Sequence, residues 1–187
     1  MENFLSLLSK FPTTSDEAKW AFANHLEEFE VEKGFLLERE GQVSNYLYFV
    51  AVGSARSYYI RENRDITVSF TLDEEFVTAM HSFITRKPSY ENIETMEKSK
   101  VFKISYDALQ SCFIAYPELE RAYRMILEQY YIVLEEHQIF NKFKTARERY
   151  LELMHYRPKV IHKASVGQIA SFLDMTIETL SRIRARI

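Results

Sequence analysis

Between Glu28 and Ile104 the chain is cut into seven short runs rich in aromatic and β-branched residues, and that cadence leaves few folds open. The runs are Phe29–Val31, Phe35–Leu37, Tyr46–Val52, Ala55–Ile60, Thr67–Thr71, Glu91–Thr95 and Lys100–Ile104. Turn signals such as Glu32-Lys33-Gly34, Glu40-Gly41 and Arg61-Glu62-Asn63 part them. Many short, closely spaced strands predict a β-sandwich, barrel or jelly roll. The longest unbroken apolar run, Tyr46–Val52, has seven residues, against about 20 for a membrane-spanning helix. The start, MENFLSLLSKF, lacks the basic lead of a signal peptide. One cysteine, Cys112, excludes an intrachain disulfide, a four-cysteine iron–sulfur site and a Cys-x-x-Cys metal site. Together these predict a soluble, cytoplasmic protein. The four glycines are too scattered for a P-loop or a Gly-rich dinucleotide turn.

Helical spacing brackets the β region. Thr14-Ser15-Asp16-Glu17 has the spacing of a capping box, and Ala18, Ala21, Phe22, His25 and Leu26 follow at helical intervals. From Pro117 to Asn141, the residues Leu119, Tyr123, Ile126, Tyr130, Val133, His137 and Phe140 recur at alternating steps of four and three. That is a heptad-like seam on a helix about 35 Å long. A parallel two-helix dimer contact is the expected use, and packing back on the β domain is the competing one. Ala146–Arg157 reads as a further helix with an apolar stripe of Tyr150, Leu151 and Met154, stopping before Pro158.

The net charge of −3 hides an asymmetry. Residues 1–140 hold 14 Lys and Arg against 23 Asp and Glu, giving −9, whereas residues 141–187 hold 10 against 4, giving +6. A basic tail on an acidic body suggests a polyanion for the tail, nucleic acid above all. In that tail Ser165 and Gln168 form a capping box, and Ile169, Ala170, Phe172 and Leu173 follow as a buried face. Asp174-Met175 makes a turn. Thr176 caps a second helix with a buried stripe of Leu180, Ile183 and Ile187. Two short helices, a tight turn and a basic exposed face predict a helix-turn-helix. The candidate DNA-binding residues are Thr176, Ile177, Glu178, Ser181, Arg182, Arg184 and Arg186. Arg182 can bond guanine bidentately and Glu178 can accept from cytosine, while Arg184 and Arg186 lie further on and suit phosphates.

Lys33-Gly34, Glu40-Gly41, Leu47-Tyr48-Phe49, Gly53 and the strand Val101–Ser105, followed by Gln168-Ile169-Ala170 and Glu178–Arg182, occur in an order that resembles the cyclic AMP receptor protein/fumarate-nitrate reductase regulator (Crp/Fnr) family. The resemblance covers nearly the whole chain. It implies an α+β architecture: an N-terminal double-stranded β-helix (jelly roll) sensor domain over 1–116, a long dimerisation helix over 117–141, and a helix-turn-helix DNA-binding domain over 142–187. The chain stops at Ile187, so the helix-turn-helix is expected to lack a C-terminal wing. The implied partners are a second copy of the chain, double-stranded DNA with a palindromic operator and, as an open possibility, RNA polymerase.

The departures concern the ligand. Cyclic-nucleotide binders of this family carry Gly-Glu-Leu on the phosphate-binding turn and Arg-Ser/Thr-Ala on the facing strand. Aligned on Phe76 and Phe83, those slots read Thr78-Ala79-Met80 and Ser89-Tyr90-Glu91. These six residues form a degenerate pocket with no cation for the phosphate and with Glu91 set to repel it. Arg86 and Lys87 lie nearby but out of register. Cyclic AMP is therefore not expected to bind, the effector is unassigned, and no cofactor or metal is expected. Haem through the lone His81 is weaker than a surface or packing role.

A homodimeric, sequence-specific transcription regulator is the leading reading. A β-roll adaptor working through protein contacts, its helix-turn-helix no longer functional, is the alternative. A cupin-type enzyme needs clustered His-x-His and Glu ligands, and the five histidines (25, 81, 137, 155 and 162) are dispersed; no enzyme is expected.

Overall fold

The computed structural model describes residues 14–187, apart from the side chains of His137, Phe140 and Asn141. The N-terminal stretch read for a signal peptide, and two side chains of the heptad seam, lie outside the described residues.

The chain opens with α1 (Asp16–Ala23), then β1 (Glu27–Val31), β2 (Leu36–Glu38), β3 (Tyr46–Val52), β4 (Ala55–Arg61), β5 (Arg64–Thr71) and β6 (Glu75–Val77). A short α2 (Met80–Thr85) precedes β7 (Asn92–Thr95) and β8 (Ser99–Ser105). Six helices follow: α3 (Tyr106–Ala115), α4 (Pro117–Phe143), α5 (Ala146–Tyr156), α6 (Pro158–Lys163), α7 (Val166–Phe172) and α8 (Ile177–Arg184). Two antiparallel four-stranded sheets, β1-β8-β3-β6 and β2-β7-β4-β5, face each other in the strand order of a jelly roll.

The apolar run of β3 does not alternate because both of its faces are buried. Leu47, Phe49 and Ala51 pack with Phe22, Phe102, Leu109 and Leu119 under the helices. Tyr48 and Val50 point the other way, to Ala55, Ile93 and Val101 of the sandwich core. Gly53 turns β3 into β4 at φ +116, where a Cβ would meet Ser99 backbone at 2.9 Å, so a side chain there would force the strands apart.

A third cluster joins the C-terminal helices to the roll. Phe70 and Met96 pack with Tyr150, Leu153, Val160, Ile169, Leu173 and Leu180. The Phe70 and Phe172 rings sit 5.1 Å apart, edge to face. The Thr67 backbone N–H donates to Ser171 Oγ at 2.9 Å, which satisfies a donor of the edge strand β5. Arg157 donates to both Glu75 carboxylate oxygens, Lys159 to Asp73, and Lys163 to Glu97.

Several expectations are corrected. The first helix is capped by Ser15, whose hydroxyl accepts from the Ala18 N–H, rather than by Thr14, which is buried. The buried stripe of α5 is Tyr150 and Leu153, because the helix is rotated so that Met154 faces solvent. Ile187 is exposed beyond the end of α8 instead of closing its buried stripe. Leu119 is buried in the chain's own core and Tyr123 packs against it, so the seam on α4 splits. Its start packs back on the roll, while Tyr130 and Val133 are exposed at 48% and 60%.

Candidate functional site

The two predicted pocket segments come together where α2 lies against the stretch that leads into β7. Thr78 and Ala79 are buried where β6 passes into α2, and Ser89 is buried on the way to β7. Met80 is the first residue of α2, and its sulfur lies 4.0 Å from the Tyr123 hydroxyl on α4. The His81 ring lies 4.9 Å from the ring of Tyr90, which in turn lies 5.9 Å from Tyr59 on β4. His81 is exposed and packs on this ring.

Two carboxyls dominate the interior. Burial pushes Glu91 up to about 7, offset in part by its bond to Ser57. Burial does the same to Glu38, also to about 7, with the Ser44 hydroxyl and Arg86 opposing it and Glu91 adding to it. Partial burial raises the Tyr130 phenol, and Glu91 and Glu75 raise it further. Glu38 and Ser44 had no sequence signal. A carboxylate at the end of a three-residue strand reads as a solvent-facing position, and only closure of the roll over it makes it a buried one.

Arg86 does not serve as a pocket cation. Its guanidinium donates to the Ser44 and Phe83 carbonyls at 2.6 and 3.2 Å and to Asn45 Oδ1 at 2.5 Å, and it stacks 4.1 Å from the Tyr106 ring centre. Arg56 is likewise taken, by Asp65, Glu94 and Thr67.

At the C-terminal pair, both helices are capped by their own sequence. The Ser165 hydroxyl accepts from the Gln168 N–H, and Gln168 Oε1 accepts from the Ser165 N–H. Thr176 Oγ1 accepts from the Thr179 N–H at 3.2 Å. Between them Asp174 takes a left-handed φ of 50, a conformation aspartate tolerates better than most residues. Leu180 is fully buried, and Ile177, Glu178, Ser181, Arg182 and Arg186 are exposed. The Glu178 carboxyl is held below its usual range by its own backbone N–H and by Thr176. Arg182 lies along its helix, with Nη2 3.3 Å from Thr179 Oγ1. Arg184 is drawn inward: its Nε donates to the Tyr150 hydroxyl at 3.1 Å, so it is half-buried instead of free for a phosphate.

Residues 28–116 match the family model of the cyclic nucleotide-binding domain. That stretch is similar in sequence to a cyclic nucleotide-binding domain. The solved structures extend the likeness across the helices that follow this domain. FixK2 of Bradyrhizobium japonicum is 21% identical, with 86% of this chain and 83% of that chain covered at a TM-score of 0.69. A Crp/Fnr-family regulator of Eubacterium rectale is 16% identical, with 92% and 82% covered at 0.71. CLP of Xanthomonas campestris, a global regulator responsive to c-di-GMP, is 18% identical, with 92% and 91% covered at 0.65. The chain therefore shares the fold of these regulators, and the matched stretch is its β roll. No curated protein sequence matches it. No helix among the described residues is long and apolar enough to cross a membrane.

Proposed function

We propose that the chain is a homodimeric, sequence-specific DNA-binding transcription regulator whose nucleotide-binding domain does not respond to cyclic AMP. The observation that carries the DNA reading is the division of α8: Leu180 is fully buried on one side, while Ile177, Glu178, Ser181, Arg182 and Arg186 are exposed. α7 and α8 act as a helix-turn-helix, and α8 enters the major groove by its N-terminal half. The apolar side chains Tyr130, Tyr131, Val133 and Leu134, all exposed on α4, support a two-fold pairing of that helix. Two buried carboxyls, with Arg86 and Arg56 both engaged, leave a cyclic phosphate without an ion-pair partner, a loss worth several kcal/mol in a buried site.

The experiment compares two arginines. Arg182→Ala should cost about 1–3 kcal/mol on the operator and relax the preference at one base position per half-site. Arg186→Ala should weaken operator and random DNA about equally and flatten the salt dependence, because phosphate contacts carry no sequence information. Equal losses on both DNAs for Arg182→Ala would reduce the segment to a basic patch.

A further inference from the structure

The buried polar groups of the roll form a chain whose protons can be counted. Ser44 Oγ is 2.5 Å from Glu38 Oε1 and 2.9 Å from Thr78 Oγ1, and Thr78 Oγ1 is 2.9 Å from the Tyr46 carbonyl oxygen. Three oxygen–oxygen contacts at hydrogen-bond length need three protons. The two hydroxyls supply one each, and the carbonyl supplies none. Thr78 must spend its proton on the carbonyl, so Ser44 must donate to Thr78. The remaining contact has a hydrogen bond only when the Glu38 carboxyl carries a proton and donates it to Ser44 Oγ. Ionised Glu38 would take the Ser44 proton and leave Ser44 and Thr78 facing each other lone pair to lone pair.

This chain bears on α4. Glu38 ends β2, Ser44 lies between β2 and β3, and Thr78 stands two residues before Met80, which touches Tyr123 of α4. A second tie runs beside it: the Ser44 N–H donates to Ser82 Oγ at 2.9 Å, and Ser82 donates to the Lys87 carbonyl. Thus Ser44 fixes both the entry and the first turn of α2. The ionisable groups facing Glu38 are Glu91 ahead of β7, Arg86 at the end of α2, and Tyr48 on β3. Arg86 is spent on carbonyls and Asn45, and the Tyr48 hydroxyl donates to the Leu37 carbonyl. Burial first, and then the like charge of Glu91, outweigh Ser44 and the charge of Arg86, so this surrounding favours the neutral acid.

We propose that Glu38, Ser44 and Thr78 form a proton-operated latch that holds α2, and through Met80 the long helix α4, against the roll while Glu38 is protonated and loosens them when it ionises. The latch is a property of the roll and stands apart from the DNA reading. The raised position of the Glu38 carboxyl, about 7, agrees with it.

The test uses the full-length wild-type chain, with 13C NMR of the glutamate carboxyls and hydrogen exchange of amides 79–85 read by mass spectrometry. Glu38 should stay neutral at about pH 5.5. Exchange of the α2 amides, corrected for its intrinsic pH dependence, should quicken roughly tenfold or more by about pH 8.5. Glu38→Gln keeps a donor at every pH and should hold these amides protected throughout. Glu91→Gln should keep the step but move it to lower pH, because a like charge has gone. A Glu38 carboxyl already ionised at about pH 5.5, or a Glu38→Gln variant that retains the wild-type step, would overturn the latch. If that variant does not fold, the wild-type carboxyl titration decides alone.

Discussion

In the α7–α8 pair the side chains that fix the fold are other than the exposed Glu178, Ser181 and Arg182, although the caps Ser165 and Thr176 also face solvent. Ser165, Gln168 and Thr176 cap, Ile169 and Leu180 are buried, and Glu178, Ser181 and Arg182 are exposed. In the roll the same residues do both jobs. Thr78 shapes the entry to α2 and bonds in the interior, and Glu38 ends a strand and controls the local proton count. A surface of that kind can change its exposed side chains without touching its fold. An interior site that changes its polar groups changes how its neighbouring helix is held. Under the proposed function, that is how the roll keeps its fold while carboxyls stand where an anionic ligand would need a cation.

The largest expected effect tests the element that links the two regions. Val133→Asp, on the exposed part of α4, should weaken self-association roughly a thousandfold, because a pairing helix would bury the new charge. Light scattering at micromolar concentration should then show monomers for the variant and dimers for the wild type.

A smaller effect sharpens the contrast from the interior side. Glu38 and Glu91 sit near 7 in the folded chain against an ordinary 4.5, so between those values the folded state binds more protons than the unfolded one. Their contribution is full below about pH 4.5 and is lost as pH rises through about 7. The change is on the order of 3 kcal/mol for each carboxyl. Urea unfolding at a series of pH values should show that decline in the wild type, and Glu38→Gln should flatten part of it.

The smallest effect is a null. Calorimetry with cyclic AMP should give no dissociation constant tighter than about 10 μM, or about −7 kcal/mol. Tighter binding would mean that the interior rearranges to supply a cation, and would erase the difference between the two regions.

What the sequence could and could not reveal follows the same division. β3 and β4 were legible because aromatic and β-branched runs end at Gly53, and the helices after Ser165 and Thr176 were legible because their caps are local. β6 is only three residues long, and α2 has six residues with no side-chain cap at Ala79, so neither carries a periodic signal. α3 does carry a local signal, since Ser105 caps it and Asp107 stands in its first turn. Within the site, positions 78–80 and 89–91 could be matched by spacing. Glu38 could not, because its burial depends on Ser44 and Thr78, the latter 40 residues further along the chain.

The most direct measurement is a selection of bound duplexes from random DNA by the full chain at near-physiological salt. A two-fold dimer presents its two reading helices about 34 Å apart, so the enriched sequences should form an inverted repeat with half-sites one helical turn apart. Enrichment of no sequence, or of a single unrepeated site, would contradict a dimeric regulator that reads DNA through α8.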